Sequence, residues 1–124
     1  MLEYFIRITP EGAVQTVSTE NPCLDWYYNQ IDCTSIETVP LAETKSGKSV
    51  MIVDEECLIK PDPIPNAIAS YLIGYPICGN VLIGGIGERN GEPDIVGFDF
   101  VEIMVHRLIF HIILTQRGMI EETS

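Results

Sequence analysis

ICGNVLIGGIGE, residues 77–88, sets a short apolar run between two groups of glycines. Val81, Leu82 and Ile83 are consecutive and unalternated, which is typical of a strand buried on both faces. Glycine weakens a strand interior and tends to mark a bulge, a bend or the close approach of another backbone or a ligand. We therefore expect a central strand with one of two roles for its glycines: bulges, or backbone that faces a ligand.

The runs before this strand predict a hairpin and a helix. Residues 3–9 alternate with period two, which predicts a strand with one buried face, and residues 13–17 return after a glycine-containing turn. Asn21 and Pro22 have the residue types of a helix cap and a first helical position, so we expect a helix to about Ile31.

A second hairpin and a second helix follow. Residues 36–41 and 49–54 read as two strands around the polar segment 43–48. The prolines of residues 61–65 then require an extended connector, because each one fixes φ and removes a backbone donor. A short helix over 67–73 is predicted after it.

Beyond the central strand, Asn90 and Gly91 predict a tight turn, with residues 95–98 as the returning strand. The spacing of 99–102 is that of a capping box, and we expect a last helix over 100–117. Taken together, the runs predict a single α+β domain over residues 1–124, with about six strands in a mostly antiparallel, hairpin-built sheet packed by about three helices.

The last helix is apolar nearly all round. We expect one stripe to face the core, comprising Val101, Met104, Val105, Leu108 and Ile112, while Phe110, Ile113 and Leu114 lie on other faces. Because such a helix has more apolar surface than one sheet face can cover, we expect a homo-oligomer with Phe110, Ile113 and Leu114 at the contact.

Composition excludes some functions. The chain has 124 residues, of which 46% are hydrophobic, enough for one core. Its formal charge of -11 repels phosphate backbones, so we expect no direct binding of nucleic acid. An acidic protein that mimics DNA, and so blocks a nucleic-acid-binding protein, is an alternative that rests on charge alone.

Cysteine spacing and hydropathy narrow the setting. The four cysteines, at 23, 33, 57 and 78, form no C-x-x-C pair, so we expect buried thiols in a reducing compartment and no metal. No signal peptide is evident at the start, and the apolar segment 98–114 carries charged residues, so we expect no membrane span and a cytoplasmic protein.

Seven residues are candidates for contact with a small ligand. Asp54 ends an apolar strand in an acidic turn, where a carboxylate either binds a cation or is simply solvated. Asn66 is either the cap of the short helix or a ligand-binding amide. The remaining candidates are Gly79, Asn80, Gly84, Gly85 and Arg89.

Three segments resemble a family of small proteins of unknown function from phages, plasmids and other mobile elements. The segments are SVMIVDEECL at 49–58, PNAIAS at 65–70 and ICGNVLI at 77–83, and the match covers about residues 36 to 98 in the same order. The resemblance implies an accessory protein that acts by binding in the bacterial host cell. It transfers no catalytic residue.

The leading functional hypothesis is therefore a counter-defence protein that sequesters a nucleotide-type signal or blocks a host defence protein. A small uncharacterised enzyme is the weaker alternative, because no set of nucleophile, base and orienting group emerges and no cofactor motif is present. A phosphate-bearing ligand would rely largely on backbone amides, since the chain has only seven Lys and Arg residues.

Overall fold

The computed structural model describes residues 1–44 and 47–120, and the side chain of Thr44 is outside that description. Lys45 and Ser46, in the expected turn of the second hairpin, lie outside the described residues. The elements in chain order are β1 Glu3–Ile8, β2 Val14–Thr19, α1 Leu24–Ile31, β3 Ile36–Thr44, β4 Gly47–Asp54, a 3₁₀ turn Cys57–Ile59, α2 Ala67–Ile73, β5 Val81–Arg89, β6 Glu92–Val96 and α3 Phe100–Gln116.

The six strands form one antiparallel sheet, and with the three helices they make a compact α+β domain, as predicted from the sequence. The order β2-β1-β5-β4-β3 sets β5 between the two hairpins. β4 pairs along one edge of β5, while β1 and then β6 pair along the other edge. β5 is therefore the only strand of this described sheet with three strand partners.

The two faces of the sheet bury different helices. Phe5, Val50, Ile52 and Leu82 pack with Tyr27 and Ile31 of α1. On the opposite face, the side chains of β1, β4 and β5 pack with α2 and α3. Val81, Leu82 and Ile83 are fully buried, so the expectation of a strand covered on both faces is confirmed.

The helix ends follow local sequence in two cases of three. Asn66 caps α2 by accepting a hydrogen bond from the Ala69 N–H, and Asp99 and Glu102 form both bonds of a capping box on α3. The predicted start of α1 is wrong by two residues. That helix begins at Leu24 with Cys23 as its cap residue, and no side chain caps it.

The predicted faces of α3 are exchanged. Ile103, Phe110 and Leu114 are buried in the core, whereas the stripe predicted to be buried is exposed. Phe110 and Leu114 therefore lie inside one subunit, and the prediction that an oligomer contact includes them is wrong. Ile113, the third residue of that prediction, is half-buried.

The orientation of α3 is set by its less apolar residues. Arg107 Nη1 donates to the Val14 carbonyl oxygen at 2.9 Å, and the ring of His106 stacks on Phe98 with centroids 4.2 Å apart. Both contacts require the face that carries Ile103 and Phe110 to turn inward. An apolar helix has no strong moment to oppose that choice.

The cysteines were predicted to be buried thiols, and this is wrong for three of the four. Cys57 and Cys78 form a disulfide, and Cys23 is exposed. Since β4 and β5 are antiparallel neighbours, the residues just after β4 and just before β5 meet at one end of the sheet. Cys33 is a half-buried free thiol, and burial raises its pKa.

Two further findings concern the described chain. None of its helices is both long and apolar enough to cross a membrane. Within residues 1–44 and 47–120, no group of three or more His, Cys, Asp or Glu side chains is placed to hold a metal ion.

Gly84→Ala and Gly85→Ala should differ sharply in stability. A Cβ at Gly84 would lie 2.8 Å from the Phe5 ring and 3.1 Å from the Val96 carbonyl oxygen, whereas at Gly85 its nearest neighbour is 3.4 Å away. We expect Gly84→Ala to lower the free energy of unfolding by about 1–3 kcal/mol and Gly85→Ala to change it by less than about 1 kcal/mol. Urea unfolding measures both, and equal losses would contradict the packing.

Loss of the disulfide should destabilise the fold. The bond closes a loop with a sequence separation of 21 residues. By restricting the unfolded chain, it should contribute about 3 kcal/mol, which reduction or the Cys57→Ala/Cys78→Ala variant removes. Urea unfolding with and without reductant measures the difference. Alkylation of the unreduced, denatured chain should label Cys23 and Cys33 alone; labelling of all four cysteines would show that the bond is absent.

Candidate ligand-binding pocket

A pocket of about 470 Å³ lies between α3 and the sheet, and we call it the α3 pocket. Its sheet side is formed by residues of β3, β4, β5 and β6, and its helix side by one face of α3. Most of the lining side chains are apolar, among them Leu41, Val96, Phe98 and Ile109. Its size is within the range of pockets that bind small molecules.

The helix wall follows from sequence spacing. Glu102, His106, Ile109 and Ile113 stand at i, i+4, i+7 and i+11, so they share one face of α3. The neighbouring face, with Ile103 and Phe110, packs on the sheet. The pocket is thus bordered by the side of α3 that lies next to its buried face.

Gly85 forms part of the sheet wall and contributes only backbone there. A Cβ at this position would meet the Lys48 carbonyl oxygen at 3.4 Å and Phe98 at 3.7 Å, which are ordinary contacts. The absence of a side chain therefore leaves space inside the pocket. Of the two interpretations of the glycines, backbone facing a cavity describes Gly85.

His106 is the titratable group enclosed most deeply by the apolar part of the pocket. Its ring stacks on Phe98 at an interplanar angle of 28°. Burial lowers the pKa of His106, and the nearby Glu102 carboxylate opposes that effect only in part. The imidazole is therefore mainly neutral at pH 7, with one nitrogen that donates and one that accepts a hydrogen bond.

The other polar groups of the pocket are partly engaged. Ser49 Oγ donates to the Ala42 carbonyl oxygen at 3.4 Å, and Glu102 Oε1 accepts from the Asp99 N–H at 2.9 Å. Lys48 is exposed and supplies a positive charge to the lining. The combination is an apolar cavity with a few polar groups, which suits a small, mostly apolar ligand.

A second, smaller pocket of about 270 Å³ brings together three of the residues predicted from sequence: Asp54, Gly79 and Asn80. Asp54 is buried, lies 2.5 Å from Lys60 Nζ and accepts from the Glu56 N–H. The hydrogen bond to Asp54 raises the pKa of Lys60 despite partial desolvation. The pair is self-neutralising, which makes it a structural ion pair.

The rest of that smaller pocket is acidic. Glu11, Asp32 and Asp62 also line it. With three further carboxylates beside an ion pair that is already neutral, the pocket repels a phosphate group. It is therefore a poor site for the nucleotide-type ligand expected from the sequence.

Asn66 belongs to neither pocket. It is fully buried; its Nδ2 donates to the carbonyl oxygens of Ile8 and Gly79, and its Oδ1 accepts from the Ala69 N–H. Both amide protons and the oxygen are thus used to hold α2 against the sheet. The interpretation of Asn66 as a helix cap is confirmed, and a role in contacting a ligand is wrong.

Gly84 and Arg89 also have structural roles. Gly84 faces Phe5 on the α1 side of the sheet, away from the α3 pocket. Arg89 Nη2 lies 2.5 Å from Glu3 Oε1, and Arg89 Nε lies 3.2 Å from Asp94 Oδ2. Since both ends of its guanidinium are paired, Arg89 is a poor candidate to bind a phosphate.

Sequence reasoning missed the side chains that define the α3 pocket. His106 and Glu102 were noted as a structural pair on the helix, and Phe98 only as a strand residue. The available signal was the pattern 102, 106, 109 and 113, which marks a polar-to-apolar face. It was obscured because the whole helix is apolar.

The fold and pocket define a small α+β domain with a cavity between its sheet and its last helix. By sequence the chain belongs to the DUF3846 family, described as a domain of unknown function, whose model matches residues 2–101. Most of α3, and with it the helix wall of the pocket, follows the matched residues.

One solved structure shares the fold. It is titled "Crystal structure of small RNA methyltransferase HEN1", and it aligns with a TM-score of 0.60 at 15% sequence identity. The alignment covers 79% of this chain and 15% of that one. At this identity the likeness concerns the fold alone. No curated protein sequence matches this chain.

Acid should remove the contribution of the Glu3–Arg89 pair. Burial raises the pKa of Glu3, but the hydrogen bonds from Arg89 and the Gly97 N–H, with the Arg89 charge, outweigh it and leave the pKa below its ordinary value. The pair should therefore add stability above the unfolded-state pKa of about 4.3, and that stability is lost as the pH falls through the lower folded-state value.

We expect Glu3→Gln to lower the free energy of unfolding by about 1 kcal/mol at pH 7, a small value because Arg89 is one-third exposed. The difference from the wild-type chain should vanish below about pH 3. Urea unfolding across this pH range tests it. Comparing the two chains cancels the separate acid sensitivity of His106, and a difference independent of pH would contradict the assignment.

Proposed function

We propose that this protein acts by binding a small, mostly apolar molecule in the α3 pocket. The observation that carries the proposal is the pocket itself: about 470 Å³, with apolar walls, a glycine floor at Gly85 and the neutral imidazole of His106 among a few polar groups. Such a pocket favours a ligand with an apolar body and one hydrogen-bonding group that meets His106.

The biological setting we propose is that of an accessory protein of a phage or other mobile element in the bacterial cytoplasm. The support is the resemblance of three sequence segments to such proteins. In that setting, the bound molecule is a host signal that the protein removes from solution. A nucleotide-type signal is disfavoured here, because Lys48 is the only Lys or Arg among the described lining residues of the α3 pocket.

The disulfide bears on the proposed location. Disulfides are uncommon in a reducing cytoplasm. Trapping of thiols in host cells, followed by mass spectrometry of the Cys57 and Cys78 peptides, would show whether the bond exists there. A fully oxidised pair in those cells would argue against a cytoplasmic location.

Filling the pocket should abolish binding without unfolding the chain. Gly85→Leu places a branched side chain into the cavity, and Gly85→Ala is the matched control, because the Cβ itself meets only ordinary contacts. The probe is 1-anilinonaphthalene-8-sulfonate, an aromatic anion that fluoresces in apolar sites. We expect Gly85→Leu to weaken its binding at least about tenfold, a change of about 1.4 kcal/mol, and Gly85→Ala to leave it within about twofold.

The natural ligand should be sought in protein purified from host cells. Mass spectrometry of molecules released on denaturation should detect a compound with the wild-type chain and the Gly85→Ala variant, and not with Gly85→Leu. Release of a nucleotide would overturn the proposed ligand class. Equal probe binding by all three chains, with nothing released, would overturn the pocket as the binding site.

A further inference from the structure

Helix α3 turns a continuous apolar surface to solvent, which we call the α3 stripe. It consists of Val101, Met104, Val105, Leu108, Ile109 and Ile112, whose side chains are 47–70% exposed. The proposed ligand pocket leaves most of this surface uncovered, since only Ile109 is shared by both. A contiguous apolar surface of this kind on a small protein marks an interaction site.

We propose that the α3 stripe is the contact between two copies of this chain, with the two α3 helices packed antiparallel about a two-fold axis. A two-fold contact uses the same patch on both subunits, so the patch must be complementary to itself. The α3 stripe meets this requirement both in its spacing and in its charge. The inference does not depend on the ligand.

The spacing pairs apolar residues along the whole contact. With the axis passing between His106 and Arg107, Val101 faces Ile112, Met104 faces Ile109, and Val105 faces Leu108. Each member of the α3 stripe thus meets another member. Apolar residues three and four apart on both helices give the seam along which helices pack at a small crossing angle.

The charges around the α3 stripe are arranged to avoid a like-charge contact. A self-contact in a chain of net charge -11 must avoid carboxylates, and the α3 stripe contains none. Between Val101 and Ile112, Glu102 closes the capping box, and Arg107 reaches the Val14 carbonyl oxygen on β2. Neither charged group belongs to the exposed apolar surface.

The two ends of α3 carry opposite charges, which selects the antiparallel arrangement. Asp99 and Glu102 mark the first turn, and Arg117 follows the last turn. Antiparallel packing sets each acidic end toward the basic end of the other helix and opposes the two macrodipoles, whereas parallel packing would bring the carboxylates together.

Leu108→Glu tests the contact, and Ile59→Glu is its matched control. Leu108 is 60% exposed and Ile59 80% exposed, so neither change buries a charge within the subunit. Sedimentation at micromolar concentration should show a dimer for the wild-type chain and for Ile59→Glu. Leu108→Glu should stay folded by circular dichroism and dissociate at least about 100-fold more readily, which is about 2.7 kcal/mol.

A wild-type monomer at that concentration, or an unchanged Leu108→Glu dimer, would overturn the proposal. Should Leu108→Glu fail to fold, Met104→Glu, at a 57% exposed position, makes the same test. Loss of the dimer in Ile59→Glu would also count against it, because Ile59 lies in the 3₁₀ turn after β4 and outside the α3 stripe.

The orientation is tested by a spin label at Gln116→Cys, in a chain that also carries Cys23→Ser and Cys33→Ala. Gln116 is exposed at the last position of α3. With the axis between residues 106 and 107, the two labels should lie roughly 30 Å apart, whereas parallel helices would hold them within roughly 10–20 Å. The shorter distance would overturn the antiparallel contact.

Discussion

The pairing of β5 with strands on both of its edges is the interaction on which the rest of the structure depends. Val81, Leu82 and Ile83 have no exposed surface, because α1 covers one face of the sheet and α2 and α3 cover the other. The far half of the same strand passes under α3, where Gly85 leaves space for the α3 pocket. Core and candidate site are thus two halves of one strand.

What the sequence allowed us to predict was local. The buried strand, the Asn66 cap and the capping box of α3 depend on residues within a few positions of each other, and all three are present. The inward face of α3 depends on Arg107 reaching Val14 across 93 residues. A helix that is apolar on most sides has no periodic signal strong enough to reveal such a contact, so its faces were assigned the wrong way round.

The candidate site was predicted only in part, and for the same reason. Gly84 and Gly85 are alike as sequence signals, yet period two turns one toward Phe5 and the other toward the α3 pocket. Asp54, Gly79 and Asn80 do meet, but Lys60 neutralises the carboxylate. That partner, like the pairing of Cys57 with Cys78, follows from strand neighbours that a linear pattern does not contain.

The strand order also sets the sequence of events in folding. Each hairpin, β1–β2 and β3–β4, pairs strands that are adjacent in the chain, and such local pairing forms within microseconds. The sheet closes only when β5 enters between them, which brings Ile6 beside Ile83. Contacts between such distant residues form slowly, and until then β1 and β4 each have an open, apolar edge. The nascent protein is therefore most prone to aggregate after its hairpins have formed and before its fifth strand is in place.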